Sequence, residues 1–175
     1  MYHSEKIRFF IVMFGITSVT AFQFKAGQCP EVTPMRDFDM NRFLGLWHVV
    51  EGTLTNKSIE CLTFNVTKLD SNTFAMTQLP QNLTSKLIPE HDIPGRMNIG
   101  VNASSDANFS VLITDYNNFA GFFICKNSSV GNFYRAAAVL SRTKQLSSLQ
   151  HNIVKEYFHS YDVADDDLTG IINTC

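Results

Sequence analysis

Apolar and polar residues alternate along most of the chain in short stretches rich in Val, Ile, Thr, Phe and Tyr, separated by clusters of Asn, Asp, Ser, Gly and Pro. This pattern is typical of antiparallel β-strands joined by tight turns. We predict eight strands, at 47–54, 61–69, 73–79, 83–88, 97–102, 109–116, 119–125 and 133–140. The Asn117-Asn118 pair predicts a two-residue hairpin turn, because Asn tolerates the positive φ that such a turn requires.

After residue 140 the hydrophobic period changes to three and four residues. Leu146, Leu149, Ile153 and Tyr157 form an apolar stripe, which predicts an amphipathic helix over 147–160 packed against the sheet. Eight strands and one helix fit an all-β fold, either a sandwich or a closed barrel. Closure removes exposed sheet edges, so we predict an eight-stranded antiparallel up-and-down β-barrel with one C-terminal α-helix packed on it. Such a barrel is just wide enough to hold one small ligand.

The start of the chain has the features of a secretory signal peptide. A short cationic segment precedes an apolar run from Phe9 to Ile16, and the small residues Val19 and Ala21 follow. We expect cleavage after Ala21, which leaves one domain over 22–175 and an extracellular protein. The alternative, a membrane anchor, is disfavoured because the run is too short to span a bilayer.

An oxidising compartment changes how the four cysteines are interpreted. Two disulfides are expected, and the sequence alone leaves three possible pairings of the four cysteines. No cysteine or histidine pair has the spacing of a zinc site, so no metal is expected. Six Asn-X-Ser/Thr sequons are candidate glycosylation sites: Asn56, Asn65, Asn82, Asn102, Asn108 and Asn127.

The sequons and cysteines also predict which side chains face the barrel interior. If Asn65, Asn108 and Cys125 point outward, strict alternation turns their neighbours inward, provided that no bulge intervenes. The residues predicted to face inward are Leu62, Phe64, Val66, Phe109, Val111, Ile113, Ala120, Phe122 and Ile124.

Composition and motifs exclude several classes of function. Of the 175 residues, 45% are apolar, enough for a sizeable core, whereas 17% are charged and the net charge is −2. There is therefore no basic footprint for nucleic acid. No Gly-X-Ser-X-Gly elbow occurs, and the 165–167 acidic run lacks the Gly and Glu of a calcium loop. We expect no enzyme activity and no cofactor.

Three separated segments resemble the lipocalin family. Gly45-Leu46-Trp47 matches the motif that opens the first barrel strand, Thr114-Asp115-Tyr116 matches the turn between strands six and seven, and the segment ending at Arg142 matches the end of strand eight. The resemblance implies that the Trp47 ring plugs the closed end of the barrel and that Arg142 lies across it. These residues close the scaffold; they do not bind cargo.

Within that family, the cysteines resemble those of the group that contains apolipoprotein D and the insect bilin-binding and Lazarillo-like proteins. Cys29 precedes Pro30 ahead of the first strand, Cys61 opens the second, Cys125 ends the seventh and Cys175 lies at the C-terminal end. The resemblance implies bridges Cys29–Cys125 and Cys61–Cys175.

The resemblance implies a secreted carrier of a small hydrophobic ligand. Fatty acids, sterols and retinoids are the first choice, and a bilin is the alternative. The predicted ligand-binding residues are Phe64, Val66, Met76, Met97, Ile99, Phe109, Val111, Phe122 and Tyr134. Inward-facing Ala136 and Ala138 would widen this pocket.

A second hypothesis places the function on the outer surface. The pocket would then be vestigial, and the surface and loops would contact a receptor, a protease, a membrane or a lipoprotein particle. Leu87, Ile88 and Ile93 are the candidate exposed apolar residues for such a contact.

Overall fold

The computed structural model describes residues 23–54, 59–100 and 107–175. The predicted signal peptide and the sequons Asn56 and Asn102 lie outside these residues. The strands are β1 (Gln23–Ala26), β2 (Gly45–Gly52), β3 (Thr63–Lys68), β4 (Phe74–Leu79), β5 (Leu83–Glu90), β6 (Ile93–Gly100), β7 (Ala107–Thr114), β8 (Phe119–Asn127), β9 (Asn132–Ser141) and β10 (Thr169–Gly170). The α-helices are α1 (Met40–Phe43) and α2 (Ser148–His159), and a 3₁₀ turn spans Asp165–Asp167.

Strands β2 to β9 pair antiparallel in chain order, and β9 also pairs with β2. That last pairing closes the sheet, which confirms the eight-stranded up-and-down barrel and excludes the sandwich. We call the end where β2 begins the closed end, because α1 lies there, and the opposite end the open end. β1 and β10, which the sequence did not predict, add short pairings to β9 and β2.

The β5–β6 turn lies earlier than predicted. The predicted strands 83–88 and 97–102 leave Pro94 and Gly95 between them, in a stretch of turn composition, but both residues belong to β6 and the turn is at His91-Asp92. Gly95 is buried, and a Cβ there would collide with the Met35 backbone. The glycine is therefore a site of close backbone approach by the N-terminal segment, not a turn residue.

The β7–β8 hairpin also differs from its prediction. Its turn spans four residues, and the positive φ of +67° belongs to Tyr116, not to an asparagine. The Asp115 carboxylate accepts hydrogen bonds from the backbone N–H groups of Asn118 at 2.7 Å and Phe119 at 3.0 Å. Burial alone would raise the pKa of Asp115, but the hydrogen bond from the Asn118 side-chain amide, together with these backbone bonds, outweighs it and lowers the pKa. The carboxylate therefore stabilises this turn.

Alternation predicts the inward faces correctly except at one bulge. Phe109, Val111 and the inward residues of β3 and β8 lie in the core cluster inside the barrel. Ile113 instead packs against the outer cluster under α2, because the β7–β8 register shifts between Val111 and Ile113. The bulge places both Leu112 and Ile113 on the outside.

Helix α2 has the predicted position but a different buried face. Ser147 caps it in a capping box with Gln150, and Ser160 follows its last residue. The predicted stripe is correct in part: Leu146 and Ile153 pack against the cluster under the helix. Leu149 and Tyr157 are instead 71% and 42% exposed, and the fully buried side chains are Val154 and Phe158. A Cβ on Gly121 of β8 would collide with Val154, so the missing side chain leaves the notch into which this face of the helix docks.

Two disulfides join the ends of the chain to the barrel. Cys29 bonds to Cys125 and Cys61 bonds to Cys175, with Cα atoms 5.9 and 6.0 Å apart. This confirms the pairing that the family resemblance implied. Each bridge closes a long loop, which restricts the unfolded chain more than the folded one.

A buried arginine joins β1, β9 and the C-terminal segment. Arg135 is 2% exposed. Its Nε donates to Gln23 Oε1 at 2.9 Å, one Nη donates to the Asp162 carbonyl at 2.7 Å and the other to Asp167 Oδ2 at 2.7 Å. Every side of the guanidinium is thus paired, as a buried charge requires.

Candidate functional site

The interior wall of the barrel is a continuous apolar surface. Of the nine predicted ligand-binding residues, eight lie buried together in the core cluster inside the barrel: Phe64, Val66, Met76, Met97, Ile99, Phe109, Val111 and Phe122. They come from β3, β4, β6, β7 and β8, so they surround the barrel axis on most sides. An apolar molecule inside would touch side chains from several strands at once.

Aromatic rings meet across this interior. Phe122 lies 4.9 Å from Phe109 and 5.8 Å from Phe64, measured between ring centroids. Ala136 and Ala138 face inward as expected, and Ala138 pairs with Phe122 on β8 and with Gly52 on β2. The small alanine side chains of this wall therefore lie beside a phenylalanine ring.

Few polar groups face the interior. Gln78 of β4 is 5% exposed and pairs with inward-facing Phe64, and its side chain donates to Gln81 Oε1 at 3.4 Å. Ser85 of β5 pairs with inward-facing Met76. Sequence analysis did not identify either residue, although the same alternation that turns Phe64 and Met76 inward would have found both. Two such groups can orient a ligand without making the interior polar.

Trp47 and Arg142 form the closed end. Trp47 is fully buried, and its Nε1 donates to the Phe43 carbonyl at 2.9 Å. The Arg142 guanidinium lies 3.6 Å from the Trp47 ring centroid and donates to the carbonyls of Leu46 and Tyr116. The chain enters this arrangement at Gly45, whose φ is +95°. The Trp47 and Arg142 donors named here are thus bonded to backbone carbonyls of the closed end itself.

Tyr134, the ninth predicted residue, lies at the rim of the open end and not inside. It is 40% exposed, and its ring packs against Phe24 of β1 at 5.2 Å between centroids. Lys126 of β8 is its register partner on the other side. The aromatic pair and the lysine thus share one row at the entrance, and sequence analysis missed Phe24 and Lys126.

The outer surface differs from its prediction in one place. Leu87, expected to be exposed, is fully buried on β5 because it faces inward opposite Phe74. Ile88, its neighbour, is 44% exposed and Ile93 is half-buried. The apolar surface patch proposed from the sequence therefore loses one of its members.

Two histidines, His48 and His151, lie outside the barrel interior. Burial, and then the positive charge of Lys144, lower the pKa of His48, so this imidazole is neutral at neutral pH. His151 Nε2 lies 2.7 Å from Glu51 Oε2 and joins α2 to the barrel. Within 23–54, 59–100 and 107–175, no cluster of three or more acidic, His or Cys side chains could hold a metal ion. In the same residues no helix is long and apolar enough to cross a membrane.

The barrel is similar to several solved structures. Apocrustacyanin C1 is 18% identical over 87% of this chain and 92% of its own, with a TM-score of 0.67. Lobster apocrustacyanin A1 is 17% identical over 92% and 94%, with a TM-score of 0.66. Insecticyanin from the tobacco hornworm Manduca sexta is 20% identical over 86% and 88%, with a TM-score of 0.65. At these identities the likeness shows a common fold.

No curated protein sequence matches the chain significantly. The Triabin family model, in contrast, matches residues 24–148. This match extends from β1 to the start of α2 and so includes every strand of the barrel. The chain therefore belongs to the Triabin family, whose members are lipocalin-like, and it has the closed eight-stranded barrel of a lipocalin.

Proposed function

We propose that this protein is a secreted, non-enzymatic carrier that binds one small hydrophobic molecule inside its barrel. The observation that carries the proposal is the continuous inner wall of buried apolar side chains, closed at one end by Trp47. Burial of apolar surface stabilises a complex by roughly 25 cal/mol per Å². The buried part of the wall, below the rim, supplies that surface without a competing charge.

The ligand we propose is a lipid such as a fatty acid, a sterol or a retinoid, as expected for the group that contains apolipoprotein D. The two disulfides agree with the pattern of that group. A bilin is the alternative. Its pyrrole N–H groups need buried acceptors. Besides Tyr134 at the rim, the described strands turn the uncharged polar side chains of Gln78 and Ser85 inward, and no acidic side chain joins them. This lining favours the lipid.

Secretion and glycosylation are part of the proposal. Two disulfides are typical of an oxidising compartment. Of the sequons in the described residues, Asn82, Asn108 and Asn127 are exposed, and Asn65 is half-buried on the outer face of β3. Asn82 lies in the β4–β5 turn and Asn127 ends β8, so both would carry glycans near the open end. None of these positions faces the interior.

One preparation tests the carrier, its export and its glycans together. The full chain is expressed in a eukaryotic secretory host, collected from the medium without refolding, and weighed by native mass spectrometry before and after enzymatic removal of N-glycans. We expect a mass loss on deglycosylation and displacement of a fluorescent fatty-acid analogue by unlabelled lipid. A protein that retains no small molecule and binds no lipid would overturn the carrier and move the function to the outer surface. A retained pigment absorbing red light would establish the bilin.

Ala138→Trp is expected to weaken lipid binding by about tenfold or more. Ala138 is 2% exposed and faces the interior between Gly52 and Phe122, so an indole there fills ligand space. Leu149→Trp, on the exposed surface of α2, is the matched control and should bind as the wild type does. The affinity is measured by titration with the fluorescent analogue, with a thermal melt to verify folding. Unchanged affinity in a folded Ala138→Trp variant would contradict the assignment of this wall to the pocket.

A further inference from the structure

The rim of the open end carries an inward-facing cation. Along β8, Ile124 faces the interior and Cys125 the outside, so Lys126 faces inward by alternation. On β9, Phe133 and Arg135 point outward and Tyr134 therefore shares the face of Lys126. The lysine is half-buried. Its ammonium group is thus at the level where the apolar interior meets water.

No protein group in the described residues neutralises this cation. All the ion pairs found there involve other side chains, including Lys25, which lies 3.7 Å from Asp167 on the outer face. The Tyr134 hydroxyl likewise makes no hydrogen bond to a described residue, and its ring is held by Phe24. A lysine and a phenol with free donors therefore stand side by side.

The charge is confined to one end of the barrel. At the closed end Lys68 also has inward parity, but its Nζ donates to Asn41 Oδ1 at 3.3 Å and lies over the Phe74 ring. In the part of the chain that the structure describes, Lys126 is the charged side chain that the open half of the barrel turns inward. Below it, Ile124 and its register partner Phe109 begin the apolar interior.

We propose that Lys126, with Tyr134, binds the anionic head group of an amphiphilic ligand whose apolar tail enters the barrel. This inference rests on the proposed carrier function and narrows its ligand from lipids in general to lipid carboxylates. From Lys126 to Ala120 the strand runs about 20 Å, or about 15 Å along a tilted barrel axis. The head group stays at the rim, where it keeps part of its hydration, so the ion pair avoids the full cost of a buried charge.

The test compares two ligands of equal length, dodecanoate and dodecanol, by calorimetry or by displacement of a neutral fluorescent probe at pH 8. Wild-type protein is expected to bind dodecanoate about tenfold more tightly than dodecanol. Lys126→Met should lose this preference and bind dodecanol as the wild type does. Tyr134→Phe should lose a smaller part of the preference.

Lys25→Met is the matched control, because Lys25 is at the same rim but points outward to Asp167; the preference should remain in this variant. Equal wild-type affinities for the two ligands, or an undiminished preference in Lys126→Met, would overturn the head-group site while leaving the carrier intact. If neither ligand binds the wild type, the carrier proposal itself fails. Lys126→Gln repeats the measurement should the methionine variant not fold.

Discussion

Trp47→Ala is expected to lower the free energy of unfolding by about 4 kcal/mol. The ring is fully buried, packs against Phe43 at 5.0 Å between centroids and lies under the Arg142 guanidinium. The substitution removes the packed volume and the hydrogen bond to the Phe43 carbonyl, and it opens the closed end to water. Because Trp47 is the single tryptophan of the chain, unfolding in urea is followed by circular dichroism.

Two further variants, Trp47→Phe and Arg142→Met, separate the contribution of ring packing to this stability from that of the arginine charge. The phenylalanine keeps an apolar ring but loses the indole donor, so we expect less than half of the alanine effect. Arg142→Met removes the cation–π contact, worth about 0.5 to 2 kcal/mol, and the bonds to the carbonyls of Leu46 and Tyr116. The double variant Trp47→Phe/Arg142→Met should lose less free energy of unfolding than the two single variants lose together, since the two side chains interact. If the free energy of unfolding of Trp47→Ala lies within about 1 kcal/mol of the wild-type value, the effect is no larger than that of an ordinary surface substitution. That result would show that the barrel does not need the Trp47 plug.

Eight barrel strands and their inward faces could be predicted because a strand buried on one face repeats every two residues. Phe64 and Phe122 follow that rule, and both lie in the interior. The predictions fail where one residue changes the local geometry. The bulge before Ile113 reverses its face, and the notch at Gly121 selects Val154 over Leu149. The bulge and the notch each depend on a single residue and do not repeat along the chain, so the hydrophobic pattern of the sequence does not predict them.

The two short strands and the depth of Tyr134 in the barrel could not be predicted from the sequence, for a different reason. β1 and β10 are four and two residues long, too short to show alternation, and their pairing depends on free edges of β9 and β2. Tyr134 was predicted to line the pocket, but its position at the rim depends on strand tilt and stagger around the closed barrel. Those quantities belong to the assembled sheet, so the rim with Lys126 was seen only in three dimensions.

Arg135→Met is expected to lower the free energy of unfolding by about 3 kcal/mol at neutral pH. Removal of the guanidinium leaves Asp167, Gln23 and the Asp162 carbonyl without their partner in a mostly buried place. Lys25→Met is the control: Lys25 is 42% exposed and 3.7 Å from the same carboxylate, so its loss should cost less than about 1 kcal/mol. Urea unfolding followed by Trp47 fluorescence measures both variants.

The pH dependence identifies the ion pair as the cause. Burial alone would raise the pKa of Asp167, but the Ala164 N–H and the Arg135 charge outweigh it and lower the pKa below its usual 3.8. A lowered folded-state pKa stabilises the protein above the unfolded value, and this contribution is lost as the pH falls through the folded value. The destabilisation by Arg135→Met should therefore shrink below about pH 4. A pH-independent difference would assign the effect to packing alone.

The same variant connects stability to the entrance of the barrel. Arg135 binds Gln23, the residue next to Phe24, so without it β1 should separate from β9 more often. Phe24 would then leave Tyr134, and one side of the rim would lose its apolar cover. We expect a bound fluorescent lipid to dissociate faster from Arg135→Met than from Lys25→Met under conditions where both are folded. Equal dissociation rates would show that β1 takes no part in retaining the ligand.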